Sequence, residues 1–456
     1  MSHTLIFDIG KTNKKLFVFD QDFRQLHKEY IHVDEIQDED GFPADNLSVI
    51  TEWIKDRFDK MLNDKALNIE AINFSTYGAS FVHLDHSGKP LTPLYNYLKP
   101  FPKEVLQKFH ARYGSEMTIA SQTASPPSGM LNSGFQLYWL KQTRPEVFRN
   151  IHYSLHFPQY LSYLFTGLPV SDFTSIGCHT GLWHYAKKDY HDWVYGEDID
   201  RNLAPIVPTD GSNNARYGHK TVRIGVGIHD SSAALLPYLK MEKAPFLLIS
   251  TGTWSISLNP FSEEVLTEDD LQNDCLNYMR IDGRPVKAAR LFLGNEYKLQ
   301  VKKLCTHFGL AYGYHRNMKF DESLYLEQKE QLSPKFRFDS LLLHRQQPEF
   351  SRLADFQNFE SAFHRLMIEL MDVQADFARR AIGQSGIEKI YIDGGFADND
   401  IFVKLISRKL SEYKLRTTQA PLGSAVGAAL VISGMNVKPG FLKKQYAMRK
   451  IEEVLE

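Results

Sequence analysis

The chain has 456 residues and a formal net charge of -2, from 53 Lys+Arg against 55 Asp+Glu, which gives no broad electrostatic reason to bind nucleic acid or an anionic membrane. Hydrophobic residues make up 43% and charged residues 24%, the balance of a soluble globular protein long enough for two or three domains. Three scattered cysteines, Cys178, Cys275 and Cys305, lack both the paired spacing of a zinc site and the even count of a disulfide framework. They read as buried thiols of a reducing compartment. The N-terminus reaches Asp8 too soon for a signal-peptide core and no apolar run is long enough to span a bilayer, so a cytoplasmic protein without a membrane partner is expected.

In chain order, Thr4 to Phe7 and Lys15 to Phe19 are predicted strands joined by the polar turn Asp8-Ile9-Gly10-Lys11-Thr12-Asn13-Lys14. One small loop thus carries a carboxylate able to hold a hydrated divalent cation, a glycine that admits phosphate to the backbone, and Lys and Thr donors. A helix is predicted from Pro43 onward, with Leu47, Ile50, Ile54, Phe58 and Met61 on one face. Strands follow at Ile69 to Phe74 and Phe81 to Leu84. The break between them, Ser75-Thr76-Tyr77-Gly78-Ala79-Ser80, falls where strand ends meet a cleft. Residues 90–102 read as an aromatic loop around Tyr95, Asn96 and Tyr97, and residues 121–134 as an exposed or mobile connection. Helices resume at Phe135 to Lys141 and His156 to Phe165. The aromatic and charged run Trp183 to Trp193 is read as domain-surface packing rather than base stacking, because no basic field accompanies it.

The middle of the chain, residues 223–259, reads as a seam. An apolar strand ends in His229-Asp230, and a second enters the turn Thr251-Gly252-Thr253, whose N–H groups suit phosphate oxygens. This strand, turn and strand repeat the arrangement of residues 4–19, which suggests a structural duplication. Leu353 to Ala381 is a long predicted helix. Lys389 to Asp393 is a strand running into Gly394-Gly395-Phe396, with Asn399-Asp400 capping the next helix. Leu422 to Ala429 reads as a small-residue helix for close packing, and Lys443 to Glu456 as a solvated end.

Four of these segments arrive in one order that resembles the FGGY family of carbohydrate kinases. DIGKTNKKLFVFD is similar to its first phosphate loop and GVGIHDSSAA to the segment with its catalytic aspartate. ISTGTWS is similar to its second phosphate loop and YIDGGFADND to its adenosine segment. FSTYGASFVHLDHSGKPL and LHFPQYLSYLFTG are most similar to the rhamnulokinase and L-fuculose kinase branch. Here Tyr77 stands for the usual Trp, Ser80 for an Asp, and Asn96-Tyr97 with Lys99 for Arg-Asp and Arg.

The resemblance implies an α/β fold of two ribonuclease H-like domains of the actin and hexokinase type, with a central cleft and hinge. The sugar-binding domain would span residues 1–240 and the nucleotide-binding domain residues 241–456. It implies ATP and Mg²⁺ as cofactors, a small sugar as partner, and leaves a homodimer open. Asp230 would be the general base and Asp8 the group that orients Mg²⁺. Tyr77, Gly78, Ser80, Asn96, Tyr97 and His229 would face the sugar. Gly10, Lys11, Thr12, Asn13, Lys14, Thr251, Gly252 and Thr253 would face phosphate, with Lys11 and Lys14 unranked. Gly394, Gly395, Phe396 and Asn399 would border the nucleotide. The implied reaction is phosphorylation of a ketose, with L-rhamnulose or L-fuculose first and L-xylulose, ribulose, xylulose or a polyol as alternatives. A non-catalytic actin-like ATP switch is the reading from another class.

Overall fold

The computed structural model describes residues 2–450 apart from 332, 342–346, 419–422, 435–439 and 441–448. Two mixed sheets form its frame. The first is built from β1 (His3–Ile9), β2 (Lys14–Asp20), β3 (Gln25–Ile31), β4 (Ile69–Thr76), β5 (Ser212–Tyr217), β6 (Lys220–Gly225) and β7 (Ile228–His229). Its order is β5-β6-β4-β1-β2-β3, with β7 also on β4. The second contains β8 (Phe246–Thr251), β9 (Ser255–Asn259), β10 (Cys275–Met279), β11 (Pro285–Leu291), β12 (Lys389–Gly394), β13 (Lys414–Thr417) and β14 (Arg449–Lys450). Its order is β10-β11-β9-β8-β12-β13-β14.

The expected duplication is visible in pairing. Hairpin β1–β2 has antiparallel β3 on one side and parallel β4 then β6 on the other. Hairpin β8–β9 has antiparallel β11 on one side and parallel β12 then β13 on the other.

Strand residues alternate between two cores, because side chains on a strand point to opposite faces. Leu5, Phe7, Ile9, Leu16 and Val18 face outward onto α1 (Leu47–Asn63) and α2 (Phe157–Thr166). Ile6, Phe17 and Phe19 face inward, where they share a core with α3 (Asp230–Met241), α7 (Gly423–Ile432) and the inward residues Phe246, Leu248 and Tyr391 of the second sheet. Leu247, Ile249, Ile390 and Ile392 face the far side, against α4 (Leu293–His307), α5 (Phe359–Ile382) and α6 (Asp400–Lys409). Helices α3 and α7 are therefore the layer between the sheets. Their contact is backbone-close, since a Cβ on Gly427 would lie 1.9 Å from the Ala233 carbonyl oxygen. Asn73 Nδ2 of the first sheet donates to the Ala428 carbonyl at 2.9 Å, so α7 also braces the sheet from the opposite half of the chain.

Several expectations need correction. Pro43–Asp45 is a short strand, and α1 starts only at Leu47 because Asn46 Oδ1 accepts from Val49 N and caps it. The long helix α5 starts at Phe359 for the same reason, with Asn358 as its cap. Residues 121–134 are mostly buried rather than exposed: Asn132 Nδ2 donates to the carbonyls of Pro126 and His179 and ties the segment inward. Trp193 is interior rather than surface, packed on Phe109 and Phe135, with its indole N–H donating to Gly181 O at 2.9 Å. The three cysteines are buried and free, as expected. Among the described residues no helix is long and apolar enough to cross a membrane. The predicted solvated end, 443–456, lies outside the described residues except at strand β14.

Candidate active site

A cleft of about 500 Å³ opens where the ends of β1, β4, β7, β8 and β12 converge on the starts of α3 and α7. Its walls bring together Asp8, Gly10, Lys11, Thr12, Asn13, Tyr77, Gly78, Tyr97, His229, Asp230, Thr251, Gly252, Thr253, Gly394 and Gly395. These come from six separate segments of the sequence.

Asp230 opens α3 and leaves 32% of its side-chain surface free toward the cleft. Burial by the surrounding walls raises its carboxyl to about 6, against the lowering effect of the Ser231 N–H and hydroxyl. His229, driven by burial down to about 4, is neutral. Its Nε2 lies 3.2 Å from Asp230 Oδ1 and 3.2 Å from Cys178 Sγ. Gly78 makes that packing possible, because a Cβ there would meet Cys178 Sγ at 2.5 Å and His229 Nε2 at 3.0 Å.

The two turns are tight for identifiable reasons. Gly10 N donates to Asn13 O at 2.9 Å, and Gly252 N donates to Trp254 O at 2.7 Å. Thr251 joins the second turn to the Gly394 segment: its hydroxyl donates to Asp393 O at 2.6 Å and accepts from Phe396 N at 3.0 Å. Gly394 sits at φ +90 and a Cβ on it would lie 1.9 Å from Thr251 O, so only glycine fits.

Asp8 is buried beside these turns. Ser424 Oγ at the start of α7 donates to its Oδ1 at 2.8 Å, and Lys15 Nζ stands 3.9 Å from its Oδ2. Burial, partly offset by Lys15, raises its pKa.

Five of the expected residues are not on the cleft wall. Lys14 is buried and donates to Lys11 O at 2.8 Å and Asp45 Oδ1 at 3.2 Å. Lys11 does reach the cleft, but its ammonium is held by Asp45 at 2.5 Å and Glu35 at 3.3 Å, and lies 5.8 Å from the Tyr77 and Tyr97 ring centres. Ser80 lies in a narrow recess behind Tyr77 and His229. Asn96 Oδ1 accepts from Leu98 N at 3.0 Å and shapes its own loop. Asn399 caps α6, and the Phe396 ring packs on Tyr297 and Phe402.

Other residues of the cleft were not predicted: Lys15, His179, Trp254, Tyr278, Arg290 and Ser424. Lys15 was legible in principle, because the hairpin register sets it directly opposite Asp8. Trp254 and Ser424 lie within segments already singled out, ISTGTWS and the small-residue helix, whereas His179, Tyr278 and Arg290 come from segments with no local motif.

Two family models match the chain: "FGGY family of carbohydrate kinases, N-terminal domain" over residues 3–209, and "Carbohydrate kinase FGGY, C-terminal domain" over residues 243–439. The chain belongs to the FGGY family of carbohydrate kinases. Rhamnulokinase of Halalkalibacterium halodurans is 24% identical over 270 residues, which span 56% of this chain and 56% of that protein. A carbohydrate kinase structure from Novosphingobium aromaticivorans shares the fold with a TM-score of 0.75 at 24% identity, covering 95% of this chain and 92% of that one. A ligand-bound xylulose kinase from Lactobacillus acidophilus gives 0.77 at 15% identity, covering 100% and 95%. The two-domain actin- and hexokinase-like fold expected of an FGGY chain is thus the one found.

Proposed function

We propose that the protein is an ATP-dependent kinase that phosphorylates a ketose at its primary O1 hydroxyl, with a 6-deoxyketohexose such as L-rhamnulose or L-fuculose as the preferred acceptor. The observation that carries this reading is Asp230: a carboxylate open to the cleft, tuned to about 6, and faced by two glycine turns from different halves of the chain. Residues 1–240 would form the sugar-binding half and residues 241–456 the nucleotide-binding half.

The residues present fit MgATP. A Cβ on Gly395 would meet nothing within 4 Å, and on Gly252 nothing nearer than 3.9 Å, so both turns leave space for a ligand against the backbone. Asp8 offers a single buried carboxylate, and among the described residues no group of three or more His, Cys, Asp or Glu is placed to hold a metal ion by itself. That suits a cation held by one acid together with phosphate oxygens and water. MgATP supplies the phosphoryl group and neutralises its charge. The chain's own part is then to accept the O1 proton on Asp230, to hold that carboxylate with neutral His229, and to donate to phosphate oxygens from the turns at Gly10 and Gly252. Lys15, beside Asp8, is the cation proposed to meet phosphate, since Lys11 and Lys14 are paired with Asp45.

Support for a deoxysugar comes from the buried aromatic wall of Tyr77 and Tyr97, which pack edge-on at 6.1 Å and suit an apolar carbon. The Lys11 ammonium near both rings favours the second reading, a more hydroxylated ketose such as xylulose. A coupled assay with MgATP and a panel of L-rhamnulose, L-fuculose, L-xylulose, D-ribulose, D-xylulose, D-fructose and glycerol decides between them. The highest kcat/KM is expected for a 6-deoxyketose. If glycerol or a fully hydroxylated ketohexose wins by about tenfold, or 1.4 kcal/mol, the deoxysugar assignment fails and the kinase assignment stands. ATP hydrolysis indifferent to every sugar would instead favour the switch reading.

A further inference from the structure

Arg290 stands on β11, in the second sheet, and is 4% exposed. Its Nε and Nη2 donate to the two oxygens of Asp274 at 2.9 and 2.8 Å, and Nη2 also reaches Ser128 Oγ at 3.3 Å. Nη1 meets no acceptor among the described residues. Leaving a buried donor unmet is costly, so an unpaired guanidinium nitrogen on a cleft wall calls for a ligand.

The surroundings identify which part of the cleft this is. The guanidinium lies over the Trp254 ring at 5.0 Å, and Trp254 lines the same cleft as Tyr97 from the opposite half of the chain. Arg290 and Asp230 both act electrostatically on Tyr97, Tyr278 and Cys178. The two groups line one chamber, Arg290 from a strand of the second sheet and Asp230 from the start of α3. Asp274 already balances the arginine charge, and the nearest cleft groups, Tyr97, Tyr278 and Trp254, are neutral. A second carboxylate would add an uncompensated charge; a hydroxyl or carbonyl oxygen would not.

We propose that Arg290 is a sugar-binding residue contributed by the nucleotide-side half, with Nη1 donating to a neutral oxygen of the acceptor. The sugar is then gripped across the seam, and its binding favours closure of the two halves. This rests on the reading that the Asp230 chamber takes the sugar.

The test compares wild type, R290Q and R290K on the best acceptor of the ketose panel and on its monodeoxy analogues. R290Q is expected to raise the sugar KM about tenfold or more with a smaller change in kcat, the signature of lost binding shared by ground and transition states. Wild type should discriminate against one monodeoxy analogue, and R290Q should not. An unchanged KM, or an equal loss on every analogue, would overturn the proposal in favour of a structural role. If R290Q does not fold, R290K decides by the same comparison, because it keeps a cation opposite Asp274 but loses the planar fork. Wild type that phosphorylates no sugar would sink the kinase reading itself, which is a separate outcome.

Discussion

The Tyr77 hydroxyl donates to Asp45 Oδ2 across 2.8 Å, and through that carboxylate the aromatic wall of the cleft is tied to Lys11 and Lys14. Burial pushes the Asp45 carboxyl up, but the two lysines outweigh it and hold it below its usual range. The side chains of Lys14 and Asp45 are 2% and 5% exposed, so the pair is a buried one. Removing one partner strands the other in low dielectric. D45N is expected to destabilise the protein by about 3–5 kcal/mol, and Y77F by only about 1 kcal/mol. Urea denaturation of both variants checks this, and equal effects would contradict it.

Asp230 makes a linked prediction about pH. Its carboxyl is raised to about 6 in the folded chain, against roughly 3.9 when unfolded. As a base it works only when ionised, so kcat/KM should rise with pH through about 6. D230N should lower turnover at least about a hundredfold. Stability has the opposite slope: between these two values the folded state holds a proton that the unfolded state has released, so rising pH destabilises the fold. D230N should therefore melt higher than wild type at about pH 8, with the advantage vanishing below about pH 4. A D230N protein that melts lower at every pH would place Asp230 in a stabilising role.

Gly78 is expected to tolerate no side chain while Cys178 is present. The added methyl of G78A would sit 2.5 Å from Cys178 Sγ and 3.0 Å from His229 Nε2, so Cys178 must shift, and with it the His229 ring that contacts both Cys178 and Asp230. A loss of about 10²-fold in kcat/KM is expected, the scale of a misplacement near 1 Å. Adding C178A removes the closest atom and should restore part of the activity. Steady-state kinetics of the single and double variants test the point; no recovery in the double would shift the blame from packing to backbone conformation.

The layer of α3 and α7 carries the contact between the sheets. G427A would force a methyl into the Ala233 carbonyl at 1.9 Å, with no flexible side chain to yield. Overpacking of this kind typically costs about 1–3 kcal/mol, and here the neighbour is backbone, so the upper end or more is expected. Thermal unfolding should move down by several degrees, on the order of 2–4 °C per kcal/mol. An unshifted melting point would mean the helices can slide apart freely.

Much of the frame was readable from residues alone, for a physical reason. Strand and turn chemistry are local properties, so the strands at 4–7 and 15–19, the hairpin at Gly10 and its counterpart at Gly252 could be placed without knowing their neighbours, although β1 runs on to Ile9 and β2 starts already at Lys14. Helix starts were misplaced at Pro43 and Leu353, where apolar periodicity continues past the true caps, Asn46 and Asn358. The carboxylates Asp8 and Asp230 stood out because each ends an apolar strand, where a charge has no packing role.

What only the tertiary structure decided was which groups share a wall and which are already engaged. Lys11, Lys14 and Lys15 are equivalent as letters. The pairing of two with Asp45, some thirty residues away, leaves the third beside Asp8. Likewise Arg290 has no motif around it; it shares a cleft with Asp230 because β11 and the start of α3 converge there, and Asp274 consumes only one edge of the guanidinium. Charge pairing and burial are long-range properties of the folded chain, and they set both the availability of each cation and the pKa of each acid.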